Sequence, residues 1–158
     1  MKVIVLADTH LYQVTSELTT VCEKYCADAD LVIHLGDWMR AAVLDYFFHF
    51  PLEAVAGNMD DGVIRDSLPV AKTITVAGYR IGMAHGWGYE KDMHGLLRRQ
   101  FPEARIILYG HTHRPLKQQE EGVLFFNPGS LFQGRGRDRG SLGVLNLNQT
   151  ITADHIPL

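Results

Sequence analysis

Five short apolar runs, each closing on a carboxylate, an amide or an imidazole, constrain this 158-residue chain more than anything else in it. The first is Val3-Ile4-Val5-Leu6-Ala7, which ends in Asp8-Thr9-His10. It is too short for an ordinary helix and has no amphipathic flank, so it reads as a strand buried on both faces of a parallel sheet. In open α/β sheets ligands gather beyond the carboxyl ends of the strands, where Asp8 and His10 emerge. The same punctuation recurs at Gly36-Asp37, Gly57-Asn58-Met59-Asp60, His85-Gly86 and Gly110-His111-Thr112-His113.

The segments between these runs fill in the architecture. Residues 14–27 carry Leu18, Val21, Cys22 and Tyr25 at helical spacing, and residues 41–50 carry Leu44, Phe47 and Phe48 before Pro51 stops them. With strands at 31–35 and 52–56 the order is β-α-β-α-β, the signature of a parallel sheet with right-handed crossovers. After Pro69 the texture changes. Residues 73–76 and 80–84 form a hairpin turned through Gly78, residues 92–100 a helix, and residues 106–109 and 123–126 two more buried strands. Residues 142–147 and 150–156 alternate like an antiparallel hairpin turned at Asn148-Gln149. No repeat or linker interrupts the pattern, so the expectation is an α/β fold in one domain over residues 1–158, with two packed sheets and helices outside.

Composition excludes several classes. No stretch approaches the roughly 20 apolar residues of a membrane span, and Met1-Lys2-Val3 opens directly into a strand without a secretory pattern, so a cytoplasmic location is expected. Cys22 and Cys26 stand four apart on a helix and are expected as free thiols. A formal charge of −3 argues against sequence-blind nucleic-acid binding. Nucleic acid is expected at most as a phosphodiester substrate.

The strand ends together offer the carboxylates of Asp8 and Asp37, the amide of Asn58 and the imidazoles of His10, His85, His111 and His113. Nitrogen and oxygen donors without thiolate suit Mn, Fe, Zn, Co or Ni better than Ca or Mg. Seven donors are too many for one catalytic ion with an open position, but enough for two ions about 3.5–4 Å apart that share a carboxylate. Singly, each motif has a bland reading as a cap or a turn. Their recurrence at strand ends that can share one sheet edge favours the metal reading.

In this order, Asp-x-His, Gly-Asp, Gly-Asn-x-Asp, His-Gly and Gly-His-Thr-His resemble the calcineurin-like metallophosphoesterases. The likeness is greatest to their small capless bacterial and archaeal branch, which includes the retromer's metallophosphoesterase-like subunit. It extends from Val3 to Ser130 and takes in Asn127-Pro128-Gly129-Ser130. The resemblance implies a four-layer α-β-β-α sandwich of two mixed sheets packed face to face. It implies that Asp8, His10 and His113 hold one divalent ion, that Asn58, His85 and His111 hold a second, and that Asp37 bridges them and with them a hydroxide. Manganese is the first expectation for both ions. The expected activity is hydrolysis of a phosphodiester, with a small phosphate ester as substrate and Asn58 and Arg135 as substrate contacts; a homo-oligomer is compatible with it. The rival is a non-catalytic protein-binding scaffold of the same fold.

Two departures from the family pattern stand out. Leu11 replaces a glycine that often follows Asp-x-His, and is expected to reshape the pocket rim. Met59 occupies the place of a histidine found in larger relatives, which removes the obvious general acid and weakens a protein-phosphatase reading. His34, His49, His94 and His155 match no motif position and are expected to be structural. Trp38, Trp87 and Tyr89 flank ligand positions, as pocket walls or as core. The arginine-rich loop at 134–140 is either a solvated turn or a phosphate contact.

Overall fold

The computed structural model describes residues 1–88, 90–132 and 140–158. In chain order the elements are β1 (Lys2–Leu6), α1 (Ser16–Tyr25), β2 (Leu31–His34), α2 (Ala41–Phe47), β3 (Leu52–Ala54), α3 (Gly62–Ser67), β4 (Ala71–Val76), β5 (Tyr79–Ala84), α4 (Glu90–Gln100), β6 (Ile106–Tyr109), β7 (Leu116–Glu120), β8 (Val123–Asn127), β9 (Ser141–Leu147) and β10 (Ile151–Pro157). Two five-stranded sheets result, ordered β10-β9-β1-β2-β3 and β4-β5-β6-β8-β7. In the first, β1, β2 and β3 run parallel and the β9-β10 hairpin is antiparallel to them. In the second, β5, β6 and β8 run parallel, flanked by the antiparallel edges β4 and β7.

Side-chain alternation along the strands generates the layers. Val3, Val5, Ile33, Ile81, Met83, Leu108 and Phe126 fill the space between the two sheets. The alternate residues Ile4, Leu6 and Val32 face outward onto Leu18 and Cys22 of α1, Val43 and Phe47 of α2, and Ile64 of α3. On the far side Ala84, Ile107 and Phe125 pack under Met93 and Leu97 of α4. The order helix, sheet, sheet, helix is therefore the expected four-layer sandwich, and burial on both faces is why the central strands read as unbroken apolar runs.

The structure differs from the sequence reading in places. The five chemistry-bearing strand ends do not share one sheet edge: β1, β2 and β3 belong to one sheet, β5 and β6 to the other. Both sheets point their carboxyl ends toward the same end of the sandwich, so convergence survives by packing of sheets rather than by pairing. Two elements had no legible signal. Helix α3 is a short helix capped by Asp61, whose side chain accepts from the Ile64 amide, and buries only Ile64. Strand β7, Leu-Lys-Gln-Gln-Glu, is a polar edge strand that exists through its ladder to β8. Helix α2 ends at Phe47, four residues before Pro51, and the chain leaves it by turns from Phe48 to Asp45 and from Phe50 to Phe47. Cys22 and Cys26 are both buried free thiols, as expected. Among the described residues, no helix is long and apolar enough to cross a membrane.

Candidate metal centre

The loops leaving β1, β2, β3, β5 and β6 meet at one end of the sandwich, laced by backbone hydrogen bonds. The amides of Asp8 and His10 donate to the carbonyls of Gly36 and Asp37, at 3.0 Å each, and the Gly110 amide donates to the His85 carbonyl at 2.8 Å. Within these loops Asp8, His10, Asp37, His111 and His113 all adopt positive φ, between 51° and 69°. Left-handed backbone at non-glycine residues costs on the order of 1 kcal/mol each, and persists only where surrounding contacts over-determine it. Such conformations gather at functional sites, and here they coincide with five of the seven motif donors.

The donor atoms converge tightly. His10 Nε2 lies 3.1 Å from His113 Nε2, and His113 Nε2 lies 3.2 Å from Asp8 Oδ1. On the other side His85 Nε2 lies 3.3 Å from Asp37 Oδ2 and 3.0 Å from Asn58 Oδ1, while His111 Nδ1 lies 3.2 Å from the same amide oxygen. The halves join through the carboxylates: Asp37 Oδ2 is 3.7 Å from His10 Nε2, and Asp8 Oδ1 is 3.8 Å from His10 and 4.0 Å from His85. Asp8, His10 and His113 form one cluster with the spacing of a metal site, and Asp8, Asp37 and His85 another. Asp8 is buried, and among the described residues its Oδ1 has no hydrogen-bond partner. A buried carboxylate oxygen without a donor is costly, and a cation at this point relieves the cost. The donor set fits divalent ions.

The electrostatics match. Burial pushes the Asp37 carboxyl up, but the hydrogen bond and charge of His85, the Met59 amide and His10 more than offset it, so the group lies below the usual carboxylate range. Burial pushes His85 down, yet Asp37, Asp8 and the Leu35 carbonyl lift it above an ordinary histidine. His10 falls below the ordinary value because burial outweighs the attraction of Asp37 and Asp8. His85 Nδ1 donates to the Leu35 carbonyl at 2.8 Å, which orients the ring with Nε2 toward the carboxylates.

Several supporting residues were not singled out by sequence reasoning. Asp60, quoted only as part of its motif, accepts from the amides of Gly57 (2.7 Å), Met39 (2.9 Å) and Asp37 (3.2 Å) and so ties the β2 and β3 loops together. Its pKa is raised, by burial first and by the charge of Asp37, against the pull of the Gly57, Met39 and Trp38 amides. Asn127 donates to the Gly110 carbonyl at 2.8 Å and to Thr112 Oγ1 at 3.1 Å, and Ser130 donates to the Asp8 carbonyl at 2.8 Å. The Asn-Pro-Gly-Ser turn thus braces the histidine loop and the Asp8 loop from behind.

The remaining residues separate cleanly. His34 is fully buried, stacked on Trp38 at 3.4 Å, accepts from the Gly36 amide and donates to Thr9 Oγ1; His155 donates to the Asn127 carbonyl. His94 bonds Glu120 and Tyr109, and His49 bonds the Tyr46 carbonyl. None of the four reaches the donor cluster. Trp38 is core, its Nε1 donating to the Val55 carbonyl, whereas Trp87 is 42% exposed. Leu11 bridges to Met39 and packs on the helix-side core. Arg135 and Tyr89 lie outside the described residues, as does most of the arginine-rich loop.

The chain belongs to the calcineurin-like phosphoesterase superfamily, whose domain model matches residues 1–150. It is 30% identical to a probable metallophosphoesterase of Methanothermobacter thermautotrophicus, over 82% of this chain and 77% of that protein. It is also 30% identical to a probable metallophosphoesterase of Bacillus subtilis, over 93% and 85% respectively. Among solved structures, an archaeal phosphodiesterase shares the fold at a TM-score of 0.75 with 21% identity, covering 100% of both chains. The Vps29 of Entamoeba histolytica in complex with Zn²⁺ does so at 0.75 with 20% identity, covering 99% of both.

Proposed function

We propose that the protein is a dinuclear metal-dependent phosphodiesterase. The observation that carries this reading is the convergence of His10, Asp37, His85 and His113, with Asn58 and His111 adjoining through His85, about a buried carboxylate oxygen, Asp8 Oδ1, that has no hydrogen-bond partner among the described residues. Asp8, His10 and His113 would hold one ion, Asn58, His85 and His111 the other, with Asp37 shared. Asp37 suits the bridging role because its Oδ1 is fixed by the Met59 amide at 2.8 Å while Oδ2 faces both His10 and His85. When bound, such an ion pair supplies a hydroxide nucleophile near neutral pH and positive charge for the phosphate oxygens.

The chain's own residues do the rest. The two carboxylates offset only half the charge of two divalent ions, which leaves the centre attractive to a phosphate. Asn58, the most exposed of the donors on its side, is placed to touch the substrate as well as an ion. Met59, 50% exposed next to it, has no proton to give, so the departing oxygen takes its proton from water. Manganese is the favoured metal because imidazole-rich sites bind Mg²⁺ poorly.

The test is hydrolysis of bis(p-nitrophenyl) phosphate and p-nitrophenyl phosphate side by side after metal stripping and reloading. The diester should be the better substrate, and Mn²⁺ should restore more activity than Mg²⁺. Absence of hydrolysis with any metal would establish the rival reading, a protein-binding scaffold. The fold shared with Vps29 and the exposed apolar side chains of Met59, Val63 and Val70 favour that alternative.

A further inference from the structure

A groove of about 450 Å³ opens directly beside the metal centre and shares two of its walls, Asn58 and His85. It runs between the two halves of the sandwich. Ala56 and Gly57 after β3, Arg65 of α3 and Val70 line it from the first sheet's side, and Gly86, Trp87 and Gln100 from the second's. Trp87, 42% exposed, and Val70, 73% exposed, are among the few large apolar side chains left open to solvent. Metal coordination uses neither, and core packing does not hold them. The other tryptophan, Trp38, is wholly buried, and the more exposed aromatics Tyr12 and Phe48 do not line this groove.

We infer that this groove seats the base of a nucleoside phosphate ester, with Trp87 as stacking platform and Arg65 and Gln100 as hydrogen-bond donors to the ring edge. The inference rests on the phosphodiesterase reading and names its substrate class. Continuity of the groove with Asn58 and His85 places an ester arm there whenever a phosphate lies over the donor cluster. A tryptophan face can stack on a flat ring or hold a quaternary cation, but the Arg65 guanidinium in the same groove repels a cation and so favours the ring, since every base has a π-face to stack. The polar contributions are a guanidinium and a primary amide, both able to donate to ring carbonyls and ring nitrogens. No carboxylate lines the groove among its described residues, so nothing there offsets the Arg65 charge for a cationic arm.

Isothermal titration of the Mn²⁺-loaded full chain with three monoesters of like charge tests this: thymidine 5′-monophosphate, phenyl phosphate and methyl phosphate. Wild type should bind in that order, thymidine monophosphate most tightly. Trp87→Ala should lower the preference for thymidine monophosphate over methyl phosphate at least fivefold, in line with what a stacked base loses on alanine substitution. Trp87→Phe should keep most of that preference, and Arg65→Ala should reduce the margin of thymidine monophosphate over phenyl phosphate. Equal affinity for all three ligands in wild type, or an unchanged ratio in Trp87→Ala, would overturn the inference. Phenyl phosphate matching thymidine monophosphate would remove the nucleobase and leave a plain aryl site. Hydrolysis of methyl p-nitrophenyl phosphate by wild type is run in parallel. Turnover without ligand discrimination refutes the groove alone, and discrimination without turnover of any diester refutes the enzyme reading alone.

Discussion

Substitution of Gly57 by alanine probes how closely the site is built around its shared carboxylate. A Cβ at this position would lie 2.2 Å from Asp37 Oδ1, 2.3 Å from the Asp37 backbone nitrogen and 2.9 Å from its Cγ. Two of these atoms belong to the carboxylate assigned to both ions and one to the backbone that positions it, so no flexible chain end can yield. Overpacking of this kind typically costs about 1–3 kcal/mol, and contact with backbone puts Gly57→Ala at the upper end. For a domain of this size each kcal/mol shifts Tm by about 2–4 °C, so metal-free Gly57→Ala should melt roughly 6–12 °C below wild type. Metal binding should suffer separately, since relief of the clash displaces Asp37 from His10 and His85. The control is Gly62→Ala, where the added Cβ meets nothing within 4 Å at the start of α3. There alanine should be neutral or stabilising by up to about 1 kcal/mol. The assay is thermal unfolding with and without Mn²⁺, with metal content measured after dialysis. Wild-type Tm and two retained ions in Gly57→Ala would refute the placement of Asp37 against Gly57.

Asp37→Asn should weaken both ions together, whereas Asp8→Asn should chiefly affect one; metal analysis after dialysis distinguishes the two, and retention of both ions at wild-type affinity in Asp37→Asn would end the bridging assignment. General acid help is typically worth 10²–10⁴-fold, roughly, so a site with Met59 in place of an acid should show a steep dependence of rate on leaving-group pKa, and Met59→His should help alkyl esters more than aryl ones. His34 is held well below the ordinary histidine value, by burial first and then by the nearby His85. The unfolded chain therefore binds the proton that the folded chain refuses. His34's neutral form supports the fold fully above about pH 6.5, and stability is lost as pH falls below that value, by up to about 1.4 kcal/mol per pH unit. Denaturant titrations of metal-free wild type and His34→Gln between pH 5 and 7 should show a steeper acid loss in wild type; parallel curves would mean that His34 titrates normally.

Much of the site was legible because metal donors need particular side chains at particular strand ends, and both properties are written locally. Asp8, His10, Asp37, Asn58, His85, His111 and His113 could be picked out from apolar runs ending in carboxylate, amide or imidazole, and the structure gathers all seven. The unbroken apolar run of β1 likewise foretold a strand covered on both sides. Local pattern carries no information about which sheet a strand joins, however, and the split of the five ends between two sheets emerged only when Val5 and Ile33 packed against Met83 and Leu108. Strand β7 has no apolar period of its own and exists because β8 offers it a ladder. The hub role of Asp60 was hidden for the same reason: its three partners are backbone amides, which every residue possesses, and only the folded loops bring those of Gly57, Met39 and Asp37 to one carboxylate. Trp38 and Trp87 show the limit most plainly. Both follow a ligand motif by one residue, yet one is sealed in the core and the other opens a groove, because exposure is a property of what packs around a side chain and not of the side chain itself.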